Sequence, residues 1–388
     1  MTGSRRAGPL SGIRIIEMEG IGPGPLAAMM LADLGADVIR IGRIAPGSAG
    51  IARPREFDFG TRGRVTIPVD LKRPEGRELV LDLVEKADGL IEGFRPGVME
   101  RLGLGPNECL QRNPKLAYGR LTGWGQEGPL AHTAGHDLNY LALTGVLDRL
   151  GRAGQAPTPP INLLGDYAGG SMLMAFGLLA AILSARSTEP DHGKGQVVDA
   201  AMIDGVSLLA VPLLGLIGAG IHDGERGENL LDTGAPHYDV YECADGNWLS
   251  IAPIEENFRT QLITLLGFDA QTFPDVKLKS NWPEARRLIG ERIASMPSEH
   301  WVEVFKGSDA CTAPVLTFDE AMTHEHNWRE RRMLKLLVSA SQHQRHASRR
   351  LRQRFRRCTR TVERQQPSNL PAGASTRCKL RRCKRREF

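Results

Sequence analysis

The chain has 388 residues, 41% hydrophobic and 24% charged, enough for two domains with a sizeable core and ordinary for a soluble globular enzyme. Its net charge of +5 averages two unlike segments: residues 331–388 hold 19 Lys+Arg against two acids, while the first 330 residues hold 31 against 43. The acidic body argues against a nucleic-acid or membrane-surface binder, and six cysteines without a CxxC pair give neither a zinc site nor a disulfide framework.

No apolar stretch opens the chain, so no secretory signal is expected, and a reducing cytoplasm is the expected location. The longest apolar run, 205–220, contains Pro212 and falls short of the roughly 18–20 residues that span a bilayer. No membrane span is expected.

In chain order, GIRIIEME (12–19) predicts a strand and AAMMLADLGA (27–36) a helix. ADVIRIGR (36–43) predicts a second strand, followed by an amphipathic helix over 73–87. GLIEGF (89–94) predicts a third strand, RPGVMERLGL a short helix, and KLAYGRLTGW (115–124) a fourth strand. This alternation argues for an α/β protein with a mostly parallel sheet. The turn EGIGPGPLA (19–27) lacks GxGxxG spacing, and Pro23 and Pro25 remove amide donors, so it reads as a strand-to-helix turn and not as a phosphate loop. Residues 201–220 predict apolar helix. HYDVYECADGNWLSIAPI (237–254) predicts a hairpin around Asp245-Gly246, with helices from 256 to 305.

Three segments carry chemistry. In TAGHDLNYLALTGVL (133–147), Asp137 is an N-cap or first-turn residue and His136 sits just outside the helix. In PINLLGDYAGGSMLMAFGLLAAIL (160–183), Asp166 precedes a long apolar helix whose free amides could receive a developing oxyanion. In SIAPIEENF (250–258), Glu255 follows the hairpin. Read singly, each also fits a helix cap or a solvated surface residue.

Together, AGHDLNYLALTGVL, INLLGDYAGGSM, GKGQVVDAAMIDG, NLLDTGAPHYDVYECADG and IAPIEENF resemble the α-methylacyl-CoA racemase branch of the family III (formyl-CoA transferase-like) superfamily. The resemblance runs from Gly8 to about Trp328. It implies a family III CoA-transferase-like fold: a Rossmann-like CoA-binding domain over 1–198, linker helices over 199–232, a smaller α+β domain over 233–328, and an interlocked homodimer. It places His136 and Asp166 as bases on opposite faces of the substrate, with Glu255 orienting the histidine and Asp137 beside it. CoA would contact Arg43, Val69, Asp70, Leu71, Lys72, Gly93, Phe94, Arg95, Arg101, Gly135, Leu138, Asn139 and Tyr140, with Tyr238 lining the site. The implied substrate is a 2-methyl-branched acyl-CoA, with no metal and no cofactor beyond the CoA of the substrate itself.

The chemistry suits those residue types. Inverting a carbon acid needs one group to take the α-proton and another to return one from the far side, and His and Asp can each be tuned to do so near neutrality. The rival within the family is a CoA-transferase using Asp166 as nucleophile, and His136 favours the racemase. Two positions depart from the family pattern: TRGRVTI over 61–67, and Thr233 where a glycine is usual. From residue 329 the chain becomes an atypical basic tail with 16 Arg against three Lys after residue 330. It is expected to be disordered and reads as a frame-shifted translation.

Overall fold

A computed structural model describes residues 8–330, apart from 46–49, 52–53 and 55–56. Almost all of the basic tail lies outside the described residues, so its expected disorder and altered frame lie outside them too.

Six parallel strands form the larger sheet: β1 (Arg14–Met18), β2 (Asp37–Gly42), β3 (Arg64–Pro68), β4 (Gly89–Glu92), β5 (Ala117–Thr122) and β6 (Gln196–Ala201), in the order β3-β2-β1-β4-β5-β6. This is the doubly wound order, whose direction reverses between β1 and β4. The central strands are buried along almost their whole length, as a sheet covered on both faces requires. Alternation sends Ile15 to one face, against Leu31, Leu178 and Ile182, and Ile16 to the other, against Val80, Leu90 and Tyr118.

Helix α1 (Pro23–Asp33) starts on a proline just after Gly22, whose φ of 66° makes the turn out of β1. Glu19–Ala27 is thus a strand-to-helix turn, as its prolines indicate. Helices α2 (Pro74–Val84), α3 (Val98–Arg101) and α4 (Pro106–Arg112) follow. After β5 come α5 (Asp137–Leu143) and a wide, π-type helical stretch, Leu163–Met172, which runs directly into α6 (Leu173–Arg186).

Leu163–Arg186 is the one described helical run long and apolar enough to cross a membrane, longer than the run at 205–220. Its Met174, Leu178, Ala181 and Ile182 are buried against the sheet, which accounts for much of its apolar character without a bilayer.

Two strands escape the sequence pattern. β3 lies in the TRGRVTI segment and β6 crosses the boundary placed at residue 198. Both are edge strands, only partly buried, so neither shows the apolar run that marks β1 and β4.

Helices α7 (Met202–Leu209) and α8 (Val211–Gly218) lead to a three-stranded antiparallel sheet, β7 (Asp239–Glu242), β8 (Trp248–Ile251) and β9 (Thr312–Pro314), with β8 central. The expected hairpin pairs Asp239 with Ile251 and Glu242 with Trp248, and Gly246 takes φ 77° in its turn. Helices α9 (Glu256–Leu265), α10 (Trp282–Ala294) and α11 (Ser298–Phe305) pack Leu262, Ile289, Ile293 and Trp301 onto that sheet. Short helices α12 (Phe318–Thr323) and α13 (Glu325–Glu330) close the described chain.

Candidate active site

In a doubly wound sheet, ligands bind beyond the carboxyl ends of the strands, near the reversal of strand order. The loops carrying the candidate residues leave from that edge. Arg43 directly follows β2 and is exposed; its amide donates to Glu19 Oε2 at 2.6 Å. Val69 to Lys72 follow β3: Val69 is buried, Asp70 and Leu71 half-buried, Lys72 exposed. The Val69 amide donates to the Gly42 carbonyl at 2.9 Å, and Asp70 Oδ1 accepts from the Lys72 amide at 3.0 Å. Gly93, Phe94 and Arg95 follow β4, with Arg95 exposed, and Arg101 is exposed at the end of α3. Four cations therefore face solvent at or near one edge of the sheet.

Beyond β5 the chain reaches Gly135 and enters α5. His136 is the residue before the helix, exposed and extended, and its amide donates to Asn139 Oδ1 at 3.0 Å. Leu138 and Asn139 are exposed, whereas Asp137 and Tyr140 are buried. The Tyr140 hydroxyl donates to the Gly135 carbonyl at 2.5 Å, and its ring packs edge-on against Trp124 at 4.8 Å. Burial first, then Asp166 and Asp137, pushes the Tyr140 phenol up to about 12, so it remains a proton-bearing donor.

Asp166 differs from its sequence reading. It does not precede the helix but lies inside the first turn of the wide stretch. Its amide is not free either, since it donates to Asp137 Oδ1 at 2.7 Å. The side chain of Asp137 reaches this amide because Gly165 leaves room: a β-carbon there would stand 2.8 Å from Asp137 Oδ1. The stretch is fixed from behind by α7, where a β-carbon on Gly205 would meet the Gly169 carbonyl oxygen at 2.0 Å. Wide helical turns of this kind recur at functional sites.

The Asp166 carboxyl accepts from Asn162 Nδ2 at 3.1 Å. Burial raises its pKa above the usual carboxylate range, the Asn162 bond pulls it down, the Asp137 charge adds to the rise, and His136 opposes it. His136, Asp137 and Asp166 thus share one electrostatic neighbourhood. Gly22, at the turn after β1, faces the same carboxylate: a β-carbon there would lie 3.5 Å from Asp166 Oδ2.

Glu255 lies on a different element from this corner. It is exposed, directly before α9 at the end of the small sheet, and no described hydrogen bond or ion pair joins it to His136. Tyr238, half-buried, donates its amide to the Ala235 carbonyl at 3.1 Å in the turn ahead of β7. Asn162 and Trp124 were within reach of sequence reasoning, in INLLGDYAGG and LTGWGQ, but nothing in either motif showed their partners. Gly22 carried only a turn signal. Among the described residues no group of His, Cys, Asp and Glu could hold a metal ion.

A doubly wound sheet with a cationic carboxyl edge and a histidine–aspartate corner defines an enzyme that handles an anionic, nucleotide-bearing substrate. The model for CoA-transferase family III matches residues 10–369, past Trp328, where the motif-by-motif resemblance stops. The chain belongs to CoA-transferase family III. It is 42% identical over 322 residues to the mouse alpha-methylacyl-CoA racemase, covering 83% of this chain and 81% of that one. To the human alpha-methylacyl-CoA racemase it is 41% identical over 320 residues, covering 82% and 80%. The crystal structure of a CAIB/BAIF family protein from Brucella suis superposes with a TM-score of 0.68 at 27% identity, covering 83% of this chain and 88% of that one.

Proposed function

We propose that this protein interconverts (2R)- and (2S)-2-methylacyl-CoA thioesters by two-base proton transfer. The observation that carries the reading is the histidine–aspartate corner beyond the carboxyl edge of the sheet, where Asp137, next to His136, bonds the Asp166 amide at 2.7 Å. In one direction His136 takes the α-proton, and the electrons of the broken C–H bond move into the thioester carbonyl to give an enolate. Asp166, whose pKa burial raises, delivers its proton to the opposite face of that carbon. The reverse direction restores both groups. Asp137 holds the Asp166 backbone in place through the amide contact. Arg43, Lys72, Arg95 and Arg101 supply cations for the phosphates of CoA.

The reading extends to a homodimer. Phe176, Leu183, Leu208, Leu209 and Leu214 present exposed apolar side chains, more than an isolated surface usually groups along consecutive helices. Glu255, exposed before α9, would orient His136 in the assembled enzyme. The test is α-proton exchange: purified protein in deuterated buffer should wash deuterium into the α-position of a 2-methylacyl-CoA and equalise the two epimers. Acid-dependent transfer of CoA without exchange would make it a transferase with Asp166 as nucleophile.

A further inference from the structure

The loop that leaves β4 is held at both ends by one chain of charged groups. Glu92, the last residue of β4, is 2% exposed. Its Oε2 accepts from the Phe94 amide at 2.8 Å, which bends the chain at Gly93. Its Oε1 lies 3.4 Å from the guanidinium of Arg120 on β5, and Glu92 and Arg120 are directly opposed in the strand register. The other arm of Arg120 reaches Glu100 on α3 at 2.8 Å. The span between these two anchors, extended by one residue, contains Gly93, Phe94, Arg95 and Arg101. None of the three charged groups belongs to the two-base chemistry.

We infer that Glu92 and Arg120 are positioning residues that set the β4–α3 loop in the shape that binds CoA. The inference rests on the CoA site proposed above. A buried carboxylate costs free energy unless it is matched, and Glu92 is matched by one guanidinium that it shares with two exposed acids: Glu100, and Asp199, which faces Arg120 from β6. That imbalance fits a residue kept for what it orders. It also makes the tether sensitive to pH. Burial raises the Glu92 pKa to about 7, against the lowering influence of the Phe94 amide and Arg120; Glu100 adds to the rise. Tyr118, buried on the same strand as Arg120, is pushed well above its ordinary range by burial and stays neutral. Above neutrality Glu92 is ionised: its bond to the Phe94 amide is charge-assisted, and it pairs with the Arg120 guanidinium. Below neutrality it is protonated and the tether weakens.

The experiment is CoA binding by calorimetry to the full-length protein at pH 6 and pH 8, beside kcat and KM for α-proton exchange and a melting curve. Glu92→Ala, which leaves the Phe94 amide without its acceptor, should weaken CoA binding and raise KM by about tenfold while kcat changes less than about threefold. Glu92→Gln keeps an acceptor but loses the charge. It should bind like the wild type at pH 6 and a few-fold more weakly at pH 8. Should Glu92→Ala fail to fold, the Gln variant alone decides. Variants that lower the melting temperature but leave CoA affinity, KM and their pH dependence as in the wild type would overturn the inference and leave the proposed function standing. A wild-type protein that binds no CoA would overturn both.

Discussion

The corner after β5 and the end of β8 both place acidic residues where a strand hands the chain to a helix, yet the fold treats them differently. At the first, Asp137 is buried, Asp166 is drawn above the usual carboxylate range by burial, and Gly165 and Gly205 clear space for tight contacts. At the second, Glu255 stands in solvent ahead of α9. The first environment is built within one chain, by helices laid on a parallel sheet. The second is left open to solvent at the exit of the small sheet. Carboxylates therefore become chemically distinct only where packing removes water from one and not from the other.

The sharpest way to break this comparison is to delete the bases. His136→Ala and Asp166→Asn should each cut α-proton exchange by about 10²–10⁴-fold, the range that general acid–base groups supply. Asp166→Asn carries a second, independent readout. A carboxyl whose folded pKa is raised above its unfolded value destabilises the fold when ionised, so stability falls as pH climbs through that range. The Asn variant should thus melt higher than the wild type at pH 8, with the gain shrinking as the pH falls. Near-normal exchange in His136→Ala would return that residue to the status of a surface histidine.

Next in size is Gly165→Ala. A β-carbon 2.8 Å from Asp137 Oδ1 and 3.2 Å from its Cα cannot be accommodated without moving the aspartate. Displacement of such a group by about 1 Å can cost as much as about 10²-fold in rate, so activity should fall by one to two orders of magnitude. Overpacking should also cost about 1–3 kcal/mol of stability in denaturant titration. Unchanged activity would mean that the contact between Asp137 and the Asp166 amide does not matter. Glu255→Gln should be milder, about tenfold or less in kcat with no change in melting temperature, because on the proposed reading it would only orient the histidine and not itself transfer the proton.

How much of this was legible in the sequence follows from burial. The central strands and the hairpin announce themselves by apolar runs and an Asp-Gly turn, because their environments are decided locally. The edge strands β3 and β6 do not, since they are partly open to solvent and carry exposed Thr66 and Gln196, and an Arg64 whose buried side chain is ion-paired, where a core strand would carry aliphatics. His136 and Asp166 stood out through motif likeness. Their wiring did not: that the Asp166 amide is taken by Asp137, and that Asn162 holds the carboxyl, depends on a wide helical turn that no periodicity of 3.6 foretells.

The smallest effect expected is at Thr233, and it concerns the small sheet's side of the comparison. Thr233 has φ 76°, in the left-handed region that a β-branched side chain rarely adopts. It is held there from several directions. The carbonyls of Thr233 and Gly234 accept from the Arg286 guanidinium at 2.6 and 2.8 Å. Arg286 is itself ion-paired with Asp239, which Arg152 also grips at 2.7 Å. Ahead of it, Asp232 takes the amides of Gly227 and Asn229 at 3.0 and 2.7 Å. A turn so firmly determined can carry a strained residue of about 1–3 kcal/mol, and glycine would relieve that at a chain-entropy cost of about 0.5–1 kcal/mol. Thr233→Gly should therefore stabilise the protein by about 1 kcal/mol, a rise of about 1–2 °C in melting temperature for a chain of this size. The proton-exchange rate should hold, since Tyr238 stays anchored through its own amide bond to Ala235. A fall in melting temperature would show that the threonine side chain makes contacts worth more than the strain it imposes.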